Sequence, residues 1–238
     1  MGKKVWHVVG NGDKSVLFNV YPREGKILTC NVHPFEIQNV YATCLVDFKM
    51  MKALTERSVT LDQYNWILGT RPRIWMNDNP SFYLKYAPNV KEFYTHVPTY
   101  AENDTNFNCG MMACHYAATV QKADVINLYG FDTLFDFNMR SVTDLYLPSD
   151  RGDTNNYRLI ENWRPIWTKL FAEFPNTNFV LHHSHSDLKI AVGKNVEVHE
   201  YVKQKTPAVD QSPMKEEDVS SLNRKQRRAK QALERKQK

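Results

Sequence analysis

The sequence predicts a three-layer α/β fold on a mostly parallel sheet, followed by a basic helical or disordered C-terminal tail. Three observations lead there. Short runs of β-branched and aromatic residues without polar alternation recur along the chain, as in strands buried on both faces. Segments with helical spacing separate them, so neighbouring strands are joined by crossovers and run parallel. After residue 203 the composition turns polar, proline-containing and then strongly basic.

The strands are expected at residues 4–9, 26–30, 42–47, 73–76, 92–96, 124–129 and 178–182, with 196–199 as an edge. The clearest helix is 108–122, where Gly110, Ala113, Cys114, Ala117, Ala118 and Gln121 share one face. A face so small lets a helix lie close to a sheet. A second helix is expected over 157–174, with Leu159, Trp163, Ile166, Trp167, Leu170 and Phe174 as its apolar stripe and Pro165 kinking or interrupting it. The domain organisation read from this is a Rossmann-like nucleotide-binding domain over 1–203 and a linker with basic tail over 204–238.

Bulk properties bound the function. With 238 residues and 42% apolar content the chain suits one domain plus a tail. It has no apolar run long enough to span a bilayer. Met1-Gly2-Lys3-Lys4 leads directly into a strand with no signal-peptide pattern, so a cytoplasmic location is expected. The four cysteines, Cys30, Cys44, Cys109 and Cys114, form no CxxC pair and read as buried reduced thiols. The last 16 residues carry eight Lys or Arg against one Glu, which exceeds the whole net charge of +5. The globular part is therefore slightly acidic and offers no basic nucleic-acid surface. The tail reads as a solvated, partly helical segment that also offers a docking element for an anionic partner or nucleic acid. It lacks the interleaved aromatics that stack bases.

Candidate site residues fall at strand ends. Val8-Val9-Gly10-Asn11-Gly12-Asp13 takes a strand into a tight turn whose N–H groups can cradle a phosphate. A side chain at Gly12 would stand where the phosphate approaches, at little expected cost to the fold. Ser15 stands where a dinucleotide fingerprint has its third glycine. The second strand ends in Cys30-Asn31 rather than in an acid, which disfavours a nicotinamide enzyme. Asp47 ends the third strand, either as an N-cap or as a site residue. Asn106-Phe107-Asn108-Cys109-Gly110 opens the small-faced helix, and Leu128-Tyr129-Gly130-Phe131-Asp132 closes the next strand with a Gly-x-Asp turn. In a parallel sheet these ends share one edge, where ligands bind.

The order Gly-Asn-Gly, Cys-Asn, a Gly-led Ala-rich helix and Leu-x-Gly-x-Asp resembles the bacterial lipooligosaccharide sialyltransferases. It also resembles the wider superfamily that contains 6-hydroxymethyl-dihydropterin diphosphokinases. The resemblance covers roughly residues 3–200, with specific motifs at 8–13, 30–31, 109–118 and 128–132. It implies a Rossmann-like fold in which Asn11, Gly12, Asn31, Cys109 and Gly110 match nucleotide-contacting positions. The chain departs from it in having Thr133, Leu134 and Phe135 where those enzymes carry donor-phosphate tyrosines. It also has Pro148-Ser149-Asp150-Arg151-Gly152-Asp153 where they carry a histidine base. Asp150 and Asp153 are then the candidate bases, and Arg151 a phosphate ligand.

His182, His183 and His185 cluster after the strand at 178–182, with Asp187 beside them. No partner spacing marks a metal site, so none is expected, and His183 is the candidate acid or base. The expected function is transfer from a nucleotide or nucleotide-sugar donor, sialyltransferase-like. The alternatives are Mg²⁺-dependent diphosphate transfer, with carboxylates such as Asp47 and Asp132 holding the ion, and a non-catalytic nucleotide-binding module.

Overall fold

The computed structural model describes residues 2–19, 24–33, 35–136 and 158–201. The chain divides into two units, Met1–Val202 and Lys203–Lys238, and the second lies outside the described residues. The first is a three-layer α/β fold. Among the described residues its eight strands are β1 Val5–Val9, β2 Lys26–Cys30, β3 Val40–Leu45, β4 Trp66–Leu68, β5 Val90–Phe93, β6 Val125–Tyr129, β7 Asn178–His183 and β8 Val196–Glu200. Every neighbouring pair is parallel, in the order β5-β4-β3-β2-β1-β6-β7-β8. The helices are α1 Phe48–Glu56, α2 Thr70–Asp78, α3 Pro80–Tyr86, α4 Cys109–Thr119 and α5 Arg164–Glu173. None of the described helices is long and apolar enough to cross a membrane.

Strand alternation explains the two cores. Trp6, Val8, Leu28, Cys30, Ala42, Cys44, Ile126, Leu128, Phe179 and Leu181 face one side and pack under α4 and α5. Their neighbours face the other side. Leu45, Trp66 and Leu68 pack there with the methionines of α1, while Val9, Ile27 and Tyr129 pack around Leu17 and Phe18 of a 3₁₀ segment, Asp13–Asn19. The small face of α4 does what its composition foretells: Cys109 to Ala118 are all buried.

Two expected elements are corrected. Residues 73–76 lie within α2, and the strand in that region is Trp66–Leu68. Pro72 sits in the first turn of α2, where its missing N–H costs nothing, and only Pro72 and Met76 of that helix are buried. Trp66, Ile67 and Leu68, by contrast, are wholly enclosed. The helix expected over 157–174 begins as a π-helical stretch, Arg158–Trp163, and becomes α-helical at Arg164. Pro165 lacks the N–H of a continuing α-turn, and the wider turns ahead of it relieve its clash with the preceding backbone.

Candidate functional site

The strand order reverses direction at β1. From β1 the chain builds outward through β2 to β5, then returns to place β6, β7 and β8 on the other flank. The carboxyl ends of β1 and β6 form that switch point, where open parallel sheets bind ligands.

The two turns there press directly on each other. Gly10 N donates to Tyr129 O (2.8 Å) and Gly12 N to Gly130 O (3.1 Å). A Cβ on Gly10 would stand 2.7 Å from Gly130 O, and one on Gly12 would stand 2.7 Å from the same oxygen and 2.8 Å from the Asp132 carboxylate. Gly130 takes φ +73°, a left-handed conformation that favours glycine. The glycines thus serve the contact between the turns. The Asp132 carboxylate also accepts from Lys14 N at 3.1 and 3.3 Å, so this backbone donor already faces an anion. Burial pushes the Asp132 carboxyl up to about 6, against the Lys14 N–H that favours its ionised form.

A second limb links β2, β3 and α4. Asn31 adopts φ 51°, with its N–H on Cys44 O (3.1 Å). Its Oδ1 accepts from the Cys109 thiol at 3.1 Å. Burial pushes the Cys109 thiol up, so it stays protonated and serves as that donor; Cys30, Cys44 and Cys114 are buried free thiols shifted the same way. Asn108 caps α4 by accepting from Met111 N (3.1 Å), and a Cβ on Gly110 would meet the Phe131 ring at 2.5 Å. Asn11 Nδ2 donates to Val32 O, tying the β1 turn to the β2 turn.

Asp47 occupies the N-cap position of α1 but makes no capping bond. Its Oδ1 instead pairs with Arg71 Nη2 at 3.1 Å, and Arg71 Nε lies 3.4 Å from Asp104 Oδ2. Arg71 lines a small cleft with Val46, Gly69, Asp104 and Phe107. Arg71 was not among the residues singled out from sequence. The order Trp66-Ile67-Leu68-Gly69-Thr70-Arg71-Pro72, a short apolar run followed by glycine and a helix-starting proline, is the signal that marks it as a strand-end residue.

The third limb lies at the ends of β6 and β7. Alternation sends His182 and His183 to opposite faces. His182 stacks on Tyr129 (4.3 Å, 11°) and its Nε2 meets Asn127 Oδ1 at 2.9 Å. His183 is fully buried and stacks on Phe135 (4.0 Å, 2°), with Nε2 3.9 Å from both Asp132 Oδ1 and Asp136 Oδ2. Burial, with His185 beside it, pulls His183 down to about 4, so it is neutral near pH 7. His185 Nε2 lies 3.2 Å from Asp136 Oδ1. The acidic neighbour of the pair is therefore Asp136, whereas Asp187 is exposed and pairs with Lys189. Asp150, Arg151 and Asp153 lie outside the described residues.

Gly10, Asn11, Gly12, Asn31, Asn108, Cys109, Gly110 and Asp132 thus belong to adjoining turns at one edge. Asp47 stands further along it, because β3 and β6 are three strand spacings apart, about 14 Å. Together these features define a parallel α/β protein with a ligand-type switch point. Comparison with family models, with curated proteins and with solved structures finds no match.

Proposed function

We propose that this chain binds a nucleotide at the carboxyl edge of its sheet and acts as a transferase on a nucleotide-activated donor, of the sialyltransferase-like glycosyltransferase type. The observation that carries the reading is the convergence at the β1/β6 switch point of the Asn11 turn, the Asn31 turn and the N-terminus of α4. In open parallel sheets such an edge is where ligands bind. The resemblance noted above assigns nucleotide contact to the same positions. Within this reading Asp150 and Asp153 occupy the position of the family's base, and His183, neutral near pH 7, is the alternative acceptor.

The spacing of the carboxylates favours this reading over Mg²⁺-dependent diphosphate transfer. Asp47 and Asp132 follow strands three spacings, about 14 Å, apart, and Asp47 is already paired with Arg71.

A thermal-shift panel of CMP, UDP, GDP and ATP, each with and without Mg²⁺, tests the proposal on the full chain. A ligand at a hundredfold its dissociation constant stabilises by about 2.7 kcal/mol. The expected result is a metal-independent rise in Tm with the cytidine nucleotide. A rise with ATP only when Mg²⁺ is present would replace glycosyl transfer by phosphotransfer, and no rise with any nucleotide would overturn the nucleotide-binding reading.

A further inference from the structure

We propose that Asp136, His183 and His185 form a binding site for one divalent transition-metal ion of the zinc and cobalt class, with Asp132 as the adjoining carboxylate. It stands or falls separately from nucleotide binding, although as a metal ligand His183 would no longer be the alternative acceptor named above.

Geometry is the first support. The three donor atoms all lie within 4.8 Å of one another. His185 Nε2 is 3.2 Å from Asp136 Oδ1, and His183 Nε2 is 3.9 Å from Asp136 Oδ2. In a tetrahedral site with metal–ligand bonds of 2.0–2.1 Å, donors stand about 3.3 Å apart. The two histidine–Asp136 separations lie on either side of that value and no donor pair exceeds 4.8 Å, so the side chains would have to draw together around an ion to complete a shell.

The second support is His183 itself. Its side chain is 1% exposed, and Nε2 has no hydrogen-bond partner among the described residues. That nitrogen is aimed between two carboxylates, each 3.9 Å away, a distance too long for a hydrogen bond. A buried polar atom without a partner is costly, and a cation in the gap would satisfy it while screening Asp132 from Asp136. The His183 ring is fixed face-on by Phe135 and edge-on by His185 (4.3 Å, 81°). Its orientation is thus set without the ion, as a preformed ligand requires.

Access and chemistry are consistent with this. Asp136 and His185 are 45% and 39% exposed, which leaves an entry path and an open coordination position. Two imidazoles and one carboxylate suit zinc, cobalt, iron or manganese, whereas Mg²⁺ prefers an all-oxygen shell. The spacing in sequence concealed the set, since Asp136 and His185 are 49 residues apart.

The test uses chelator-treated full-length protein titrated with Co²⁺, followed by its visible absorption, and with Zn²⁺ by calorimetry. The expected result is one ion per chain, with affinity reduced at least about tenfold in His185→Ala and in Asp136→Ala. Both residues are partly exposed, so these variants should fold, which circular dichroism would verify. His199→Ala, on the exposed edge strand, should bind as the wild type does. Absence of stoichiometric binding, or wild-type affinity in both site variants, would overturn the proposal. Binding of Mg²⁺ but not Co²⁺ or Zn²⁺ would overturn the assigned metal class.

Discussion

Trp167→Ala is expected to destabilise the domain by about 3–5 kcal/mol, the range for removing a large aromatic from a packed core. Trp167 is 2% exposed on α5 and meets Phe131 edge-on (5.3 Å, 86°) and Phe171 (5.3 Å, 35°). Phe131 is the residue against which Gly110 closes at the start of α4, and it stands between Gly130 and Asp132 in the β6 turn. The indole therefore supports the candidate site as well as the core. Urea unfolding of the two proteins measures the loss. A change below about 1 kcal/mol would mean that α5 does not pack on the sheet as described.

Gly12→Val is expected to destabilise the fold by about 1–3 kcal/mol or more, the cost of forcing atoms into a filled space. The Cβ alone would stand 2.7 Å from Gly130 O and 2.8 Å from the Asp132 carboxylate. Because the backbone oxygen belongs to a turn joined to Gly12 by its own hydrogen bond, it has little freedom to withdraw. Gly12→Ala should therefore lose a large part of what the valine variant loses. This corrects the expectation from sequence that a side chain at Gly12 would spare the fold while blocking a phosphate. Wild-type unfolding midpoints in both variants would restore that earlier view.

The contrast shows what the sequence can carry. Strand ends such as Val8-Val9-Gly10 and Leu128-Tyr129-Gly130 are legible because burial on both faces leaves a continuous apolar run. That the two turns then touch depends on β1 lying beside β6, a long-range pairing that neither segment encodes by itself. The run around Ile74, Trp75 and Met76 reads as a strand because three apolar residues in succession carry no period. Pro72, compatible with a first helical turn, was the better guide. At β7 the alternation of His182 and His183 can be read from parity. Their partners could not be, since Asn127 arrives from β6 and Asp132 and Asp136 from the segment that follows it. The same reason hid Arg71, whose significance appears only when Asp47 and Asp104 meet it in space.

The claim that a nucleotide binds at the carboxyl edge is tested most directly by hydrogen exchange of the full chain with and without the best nucleotide from the thermal panel. The account predicts added protection in residues 10–15, 31–33 and 106–112, which form the β1 turn, the β2 turn and the start of α4. It predicts none in residues 120–124 and 175–177, at the opposite edge of the sheet. Protection confined to that opposite edge, or no change in any segment at saturating nucleotide, would contradict it.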